Sequence, residues 1–120
     1  MKGILVLAHG SRATETEETL AVVAGMTREL LPDALIETAF MEFGKVNIAA
    51  GLDKLVAGGA DTVAVIPYFL FEGIHIREDI PEELDQYRQA HPQLEITMGR
   101  TLGADKRLAD ILRDRIEEVL

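Results

Sequence analysis

The sequence predicts an α/β domain with a four-stranded parallel sheet. Short apolar runs alternate with helical patterns through all 120 residues, and this alternation is typical of the α/β class. No linker, low-complexity stretch or charge block interrupts the alternation, so residues 1–120 are predicted to form one domain. Two of the four apolar runs are almost free of polar residues, as expected of strands that helices cover on both faces.

Two strand–helix units make up the first half of the chain. Strand 1 is predicted at Ile4–Ala8, and Thr14 and Glu17 have the spacing of a capping box at the start of the next helix. Strand 2 is predicted at Leu35–Phe40. Each helix has apolar residues on one face. These residues are Leu20, Val23, Met26, Leu30 and Leu31 in the first helix, and Ile48, Leu52, Leu55 and Val56 in the second.

The second half repeats this arrangement with a longer loop. Strand 3 is predicted at Thr62–Ile66, followed by a loop from Pro67 to about residue 78. The third helix is expected to begin after Asp79 as its cap, because Pro81 is then in the first turn, where proline is tolerated. Strand 4 is predicted at Leu94–Met98. The last helix has one apolar face, made of Leu108, Ile111, Leu112, Ile116 and Val119.

The polar residues in the strands predict the order of the sheet. Strands 1 and 3 are nearly all apolar, whereas Glu37 and Thr38 interrupt strand 2, and strand 4 alternates apolar residues with Glu95 and Thr97. Strands 1 and 3 are therefore expected at the centre, in the order 2-1-3-4. Right-handed crossovers then place the ligand crevice between strands 1 and 3, beyond their carboxyl ends.

Three possible metal ligands are predicted at this edge of the sheet. His9 follows strand 1, Glu42 follows strand 2 and His75 lies in the loop after strand 3. Two imidazoles and a carboxylate suit a divalent ion such as cobalt, iron, nickel or zinc, and leave coordination positions open. His91 is expected to be structural, because it lies before Pro92 at a helix end, where an imidazole can contact the last carbonyls.

The composition excludes several classes of function. The chain has no cysteine, so disulfides and thiolate ligands are excluded. A net charge of −9 argues against binding to nucleic acid. The longest apolar run, Val63–Phe71, has nine residues, whereas a membrane-spanning helix needs about 20. We therefore expect a cytoplasmic protein without nucleic-acid or membrane partners.

Several segments together resemble a known family. They are the segment LVLAHGSR at 5–12, FME at 40–42, PYFLFEGIH at 67–75 and DIP at 79–81. The HGSR motif alone has little specificity, but the block from Pro67 to Pro81 at this distance from it is highly specific. In these segments, and over its whole length, the chain resembles the short CbiX-type sirohydrochlorin chelatases.

This resemblance implies a class II chelatase, which inserts a divalent metal into sirohydrochlorin without ATP. It implies a flavodoxin-like half-domain that forms a homodimer, and longer relatives fuse two such halves. The family's metal-binding histidines correspond to His9 and His75, which are also the candidate catalytic bases, and its additional carboxylate ligand to Glu42. No cofactor is required, since Co²⁺, Ni²⁺ or Fe²⁺ is a substrate, and Co²⁺ is the metal we expect. Many relatives have a proline where this chain has Val46.

The carboxylates of a tetrapyrrole substrate need donors, because the average surface of an acidic chain repels them. Ser11, Arg12, Arg77 and Arg100 are candidates, since each lies in a segment that follows the carboxyl end of a strand.

Three other functions fit parts of the pattern. A non-enzymatic metal carrier would use the same three ligands but has no reason to bind a macrocycle. A histidine phosphatase has an arginine before its His-Gly pair, whereas this chain has Ala8. A receiver-like signalling module needs acidic residues after strands 1 and 3, where this chain has His9 and Pro67.

Overall fold

The computed structural model describes the backbone of residues 1–120 and every side chain except that of His75. Four strands alternate with four helices: β1 Lys2–Ala8, α1 Thr14–Leu30, β2 Leu35–Phe40, α2 Ile48–Ala57, β3 Thr62–Pro67, α3 Ile74–Ala90, β4 Glu95–Met98 and α4 Lys106–Val119. Across this described chain, no helix is both long and apolar enough to cross a bilayer.

The strands form one parallel sheet in the order β2-β1-β3-β4. The predicted fold class and strand order are therefore confirmed, with the two most apolar strands at the centre. Parallel pairing places the carboxyl ends of all four strands at one edge of the sheet. The segments after Ala8, Phe40 and Pro67 consequently begin close together at that edge.

Most of the core lies between one face of the sheet and the helices α2 and α3. Leu5, Leu7, Val63 and Val65 are completely buried on this face. They pack with buried residues of the two helices, namely Ile48, Leu52, Leu55, Ile80, Leu84 and Tyr87. A smaller cluster of Ala8, Leu20 and Phe40 lies on the opposite face, beneath α1.

The predicted start of the third helix is wrong. α3 begins at Ile74 rather than after Asp79, with Gly73 as its extended N-cap residue and Pro81 inside the helix. An interior proline disfavours a helix, but Ile76 packs against the core and Ile80 is completely buried. Burial of these two residues, one turn apart on the same helix face, outweighs the local preference of Pro81. His75 therefore lies in the first turn of a helix and not in a loop.

The predicted capping box of the first helix is also wrong. Ala13 is the N-cap residue, it makes no side-chain capping bond, and Thr14 is already helical. Glu17 instead accepts a hydrogen bond at 2.9 Å from the backbone N–H of Lys45. A tertiary contact has replaced the local one, and it ties the start of α1 to the loop that follows β2.

Tyr87 connects α3 to α2. Its hydroxyl donates a hydrogen bond to Asp53 at 2.6 Å, and its ring stacks on His91 with 4.0 Å between the ring centroids. Burial, and secondarily the bond to Asp53, raises the pKa of the Tyr87 phenol above its ordinary value. Folding therefore favours the protonated phenol.

This preference predicts a loss of stability at alkaline pH. Above about pH 10 the unfolded chain gives up the phenol proton while the folded chain retains it, so the free energy of unfolding should fall as pH rises. Below that pH, the full contribution of Tyr87 to the free energy of unfolding is present. Denaturant unfolding between pH 9 and 11 measures it: the wild type should lose more stability than Tyr87→Phe over this range. Equal losses would show that Tyr87 titrates alike in both states.

Candidate functional site

Backbone pairing extends beyond the sheet and brings His9 next to Glu42. The N–H of Met41 donates to the carbonyl of Ala8, and the N–H of Glu42 donates to the carbonyl of His9, both at 3.0 Å. The β1–β2 ladder thus continues for two residues past the last paired strand positions, Ala8 and Phe40. The positions of the two side chains depend on this ladder, because the main chains of His9 and Glu42 are hydrogen-bonded to each other.

Gly10 makes this close approach possible. Its φ of 96° lies in the left-handed region, and a Cβ atom built there would overlap the carbonyl oxygen of Glu42. A side chain at this position would therefore meet both backbone strain and a steric clash. Glycine is the residue that allows the chain to turn away from β1 directly beside Glu42.

The side chains of His9 and Glu42 are in contact. Nε2 of His9 lies 2.8 Å from Oε1 of Glu42, and the side chains are 60% and 48% exposed, respectively. The imidazole also meets Phe69 edge-on, with ring centroids 6.5 Å apart. If Nε2 donates to Glu42, the neutral imidazole leaves the Nδ1 lone pair free for an incoming cation. The carboxylate then fixes the tautomer and orientation of the ring, as second-sphere carboxylates do at metal sites.

A cleft of about 420 Å³ opens beside this pair. His9, Met41 and Glu42 line one side of it, and residues at the start of α3, namely Gly73, Ile76 and Asp79, line the other. The predicted third ligand, His75, has a side chain outside the described residues. Among the described side chains, no group of three potential ligands is close enough to hold a metal ion.

Asp79 lies in this cleft, although the sequence pattern had indicated only a helix cap for it. The structure places it in the second turn of α3, facing the same space as His9 and Glu42. The signal that could have identified it is its spacing from His75, because positions four apart follow one another along a helix face. This spacing is informative only if the helix starts at Ile74, and the sequence predicted a later start.

The four predicted substrate donors have different surroundings. The Ser11 hydroxyl accepts a hydrogen bond from the backbone N–H of Ala13 at 3.1 Å. The Arg12 guanidinium lies 5.0 Å from the centroid of the Phe43 ring. These two residues lie next to the His9–Glu42 pair in the chain.

The other two donors lie elsewhere. Two nitrogens of Arg77 donate to one oxygen of Glu72, at 3.0 and 2.6 Å, so this guanidinium is already paired. Arg100 is exposed in the segment after β4. Neither residue lines the cleft beside His9 and Glu42.

Large apolar side chains are exposed in the segments that follow β2 and β3. Phe43 is 56% exposed and Phe71 is 82% exposed, and two aliphatic residues nearby in the chain, Leu70 and Ile74, are more than half exposed. They follow β2 and β3, which lie on either side of β1 in the parallel sheet, so they share the edge of the sheet with His9 and Glu42. Exposed apolar groups concentrated in one region are typical of a binding surface. These four residues form an exposed apolar rim that no pattern in the sequence had indicated.

Substitution of Gly10 tests whether the backbone arrangement matters for the site. We expect Gly10→Ala to separate the β1 and β2 extensions and displace His9 from Glu42, because the new Cβ cannot coexist with the Glu42 carbonyl. Strain at positive φ alone costs about 1–2 kcal/mol, so the thermal midpoint should fall by several degrees. Differential scanning calorimetry measures this change. Gly25→Ala is the control, since nothing lies within 4 Å of a Cβ at Gly25, and it should not lower the midpoint.

Comparison with known proteins gives a consistent result. The CbiX family model matches residues 3–119. A sirohydrochlorin cobaltochelatase of Sulfurisphaera tokodaii is 33% identical over 120 residues, covering 100% of this chain and 95% of that protein. A sirohydrochlorin ferrochelatase of Priestia megaterium is 31% identical over 98% of this chain, which spans only 44% of that relative. The sirohydrochlorin chelatase SirB of Bacillus subtilis subspecies spizizenii, solved in complex with cobalt, superposes with a TM-score of 0.91 at 26% identity, covering 98% of this chain and 50% of SirB.

Proposed function

This chain belongs to the CbiX family, and we propose that it inserts a divalent metal ion into sirohydrochlorin without consuming a nucleotide. The observation that carries the proposal is the His9–Glu42 pair at an open sheet edge, in a chain that matches the family over residues 3–119. Similar relatives of both lengths have names that specify sirohydrochlorin as the molecule that receives the metal.

Metal insertion requires three events at one place. The ion must lose bound water, and it must be brought to the nitrogens of the macrocycle. Two pyrrolic protons must leave as the doubly charged metal ion enters. Neutral imidazoles suit the first two events, because they bind cobalt, nickel and iron and leave open coordination positions. We assign the holding of the ion to His9 and His75, with Glu42 as a further ligand or as the group that orients His9.

The same residues can accept the departing protons. Once the ion has passed from Nδ1 of His9 to the macrocycle, that nitrogen can take up a pyrrolic proton, and the carboxylate at 2.8 Å from the ring stabilises the resulting imidazolium. Asp79 faces the cleft from α3 and provides a second carboxylate within it. Both carboxylates also add negative charge, which favours entry of a cation from water.

The exposed rim is well suited to a flat macrocycle. Phe43 and Phe71 offer apolar surface at the carboxyl edge, and Arg12 brings a cation over the Phe43 ring. A local cation is needed there because the chain has a net charge of −9 and the substrate has carboxylates. We propose Ser11 and Arg12 as the primary carboxylate contacts. Arg77 would first have to leave Glu72, and Arg100 lies in the segment after β4.

Cobalt is the metal we propose, with nickel and iron as the other candidates. Imidazole and carboxylate ligands accept all three ions, and selectivity among them depends on site geometry and metal availability rather than on raw affinity. Rates measured with equal free concentrations of Co²⁺, Ni²⁺ and Fe²⁺ test this choice. Cobalt should give the highest rate, and a higher rate with either other metal would reassign the preference.

We also propose that two copies form the working unit. The cleft beside His9 is open, with both side chains of the pair about half exposed. A macrocycle extends well beyond one such cleft, so a second wall is needed to exclude water from the reaction. The chain also spans about half the length of SirB and of the longer Priestia relative, which two copies would match.

Binding of metal-free sirohydrochlorin distinguishes a chelatase from a metal carrier. Titration of the protein into the tetrapyrrole, followed by its visible absorbance and fluorescence, should give saturable binding in the absence of any metal. Arg12→Ala should weaken that binding about tenfold, since a contact between a cation and a carboxylate is lost. Glu29→Ala, at an exposed position far along α1, is the control. Metal binding without tetrapyrrole binding would favour the carrier.

A further inference from the structure

The loop that follows β2 contains a strained turn centred on Phe43. The backbone N–H of Gly44 donates to the carbonyl of Glu42 at 2.8 Å, so this hydrogen bond spans a single residue. That residue, Phe43, has a φ of 61°, in the left-handed region that a bulky side chain rarely adopts. A three-residue turn with a positive φ at its centre is the rarer and more strained form of γ-turn. Glycine would adopt this backbone conformation without the steric penalty, yet position 43 has an aromatic residue.

Contacts on both sides of Phe43 hold this turn in place. The backbone N–H of Phe40 donates to the carbonyl of Val46 at 2.8 Å and closes the loop, and Glu17 of α1 accepts a further backbone hydrogen bond from the same loop. Gly44 lies directly against the Phe40 side chain, where a Cβ atom would be 2.5 to 2.7 Å from three of its carbons. Strained backbone persists where the surrounding structure determines it in this way, and it is concentrated at functional sites.

The turn leaves the Phe43 ring at the surface with Arg12 over it. Phe43 is 56% exposed, and the central guanidinium carbon of Arg12 lies 5.0 Å from the centroid of the ring. This distance is within the range of cation–π attraction. No carboxylate of the described chain pairs with Arg12, in contrast to Arg77, which binds Glu72. The ring therefore orients a positive charge that no carboxylate of the chain neutralises.

We propose that Phe43 and Arg12 form a preorganised clamp for a flat macrocycle with carboxylates on its periphery. The exposed surface of the Phe43 ring stacks on the conjugated face of the ligand, and Arg12 binds a carboxylate at its edge. Fixing both groups before the ligand arrives reduces the entropy that is lost on binding. This assignment rests on the function proposed above and adds to it the residue that contacts the face of the macrocycle. The strain at Phe43 is then the cost of holding the ring in place.

The same turn links the clamp to the His9–Glu42 pair. The Glu42 carbonyl that accepts the N–H of Gly44 is also the group that a Cβ atom at Gly10 would overlap. The backbone N–H of Glu42 is bonded to the carbonyl of His9, and Phe43 is the next residue in the chain. The clamp therefore has a fixed position relative to the pair, and such positioning is needed to bring the macrocycle nitrogens to a bound ion.

Two substitutions at position 43 test the strain. Phe43→Gly and Phe43→Ala both remove the ring, but only glycine adopts a positive φ without a steric penalty. At an unstrained position alanine is the more stabilising of the two, because glycine makes the unfolded chain more flexible. We expect the opposite order here, with the glycine variant melting a few degrees above the alanine variant in differential scanning calorimetry. An alanine variant that melts at the same temperature or higher would show that the turn is unstrained and would overturn the preorganised clamp.

Binding of metal-free sirohydrochlorin tests the contact with the ligand. Phe43→Gly should weaken binding on the order of tenfold or more, as expected when an aromatic stacking contact is lost. Phe43→Leu should also bind more weakly than the wild type, and Phe43→Tyr should recover most of the affinity lost in the leucine variant, because it restores an aromatic ring. Val56→Ala is the control, since Val56 lines a separate cleft with Ala60 and Leu94, which precede β3 and β4 at the opposite edge of the sheet.

Failure of the clamp and failure of the proposed function have different results. Wild-type affinity in Phe43→Gly would overturn the clamp and leave the chelatase proposal intact, whereas a wild type that does not bind the tetrapyrrole would remove both. In Arg12→Ala/Phe43→Gly, the loss of affinity should be smaller than the product of the two single losses, because the ring orients the guanidinium. Losses that multiply in full would mean that Arg12 and Phe43 act independently, and would also reject the clamp.

Discussion

Replacement of His9 by alanine is expected to slow metal insertion by at least about 100-fold without unfolding the protein. The side chain is 60% exposed and belongs to neither apolar cluster, so its removal costs little stability. Under the proposed assignment, it leaves the ion without one nitrogen ligand and Glu42 without its partner, and changes around metal ligands typically cost one to two orders of magnitude in affinity or activity. Initial rates of sirohydrochlorin metalation under limiting Co²⁺ measure the loss.

His91→Ala is the matched control. His91 follows the last residue of α3, where its ring stacks on Tyr87 and its backbone N–H caps the helix, well away from the cleft. We expect this variant to lose some stability and to retain nearly all of its rate. His75→Ala should behave like His9→Ala if His75 is the second nitrogen ligand. Equal losses of rate at all three histidines would remove the site assignment.

Glu42→Gln is expected to reduce the rate by about five- to 150-fold, corresponding to about 1–3 kcal/mol. Glutamine preserves the shape of the side chain and removes its charge, so the His9 contact at 2.8 Å becomes neutral and the site attracts a cation less strongly. Affinity for the tetrapyrrole should be retained, because loss of a negative charge cannot weaken attraction to a polyanion. The rate under limiting metal and the tetrapyrrole affinity, measured separately, distinguish the two effects.

Glu29→Gln is the control for this charge change, because Glu29 is exposed near the other end of α1. Its rate should change by less than about twofold, as expected for a solvated surface residue. If Glu42→Gln also changes the rate by less than twofold, Glu42 has no part in insertion and the proposed site is reduced to the histidines.

The strand order could be predicted because central strands are more buried than edge strands, and buried strands contain few polar residues. β1 and β3 each lie between two neighbouring strands and are almost free of polar residues, whereas Glu37 and Thr97 identify the edge strands. The rule that ligands bind beyond the carboxyl ends of parallel strands then selected His9 and Glu42. The structure places these two side chains 2.8 Å apart.

The start of α3 could not be predicted because local and tertiary preferences conflict there. Pro81 favours a first-turn position. The packing of Ile76 against the core and the burial of Ile80 overrule this preference, and both arise only once the sheet is assembled. Because the helix was predicted to start too late, the sequence did not indicate that Asp79 lines the cleft.

Other features depend on contacts between distant segments. The capping spacing of Thr14 and Glu17 is overruled by the Glu17 bond to the loop after β2. The need for glycine at position 10 arises from the Glu42 carbonyl, 32 residues later in the chain. Patterns within one segment contain no information about such approaches.

The most direct test of the central proposal is protein-dependent metalation of sirohydrochlorin, followed by absorbance under anaerobic conditions. Purified protein, metal-free sirohydrochlorin and Co²⁺, Ni²⁺ or Fe²⁺ are mixed without nucleotide, and the rate is compared with the spontaneous reaction and with His9→Ala. We expect conversion to the metallated spectrum at a rate proportional to protein concentration with at least one metal, and a rate close to the spontaneous one for the variant. A wild-type rate that does not exceed the spontaneous rate with any of the three metals would contradict the assignment as a chelatase.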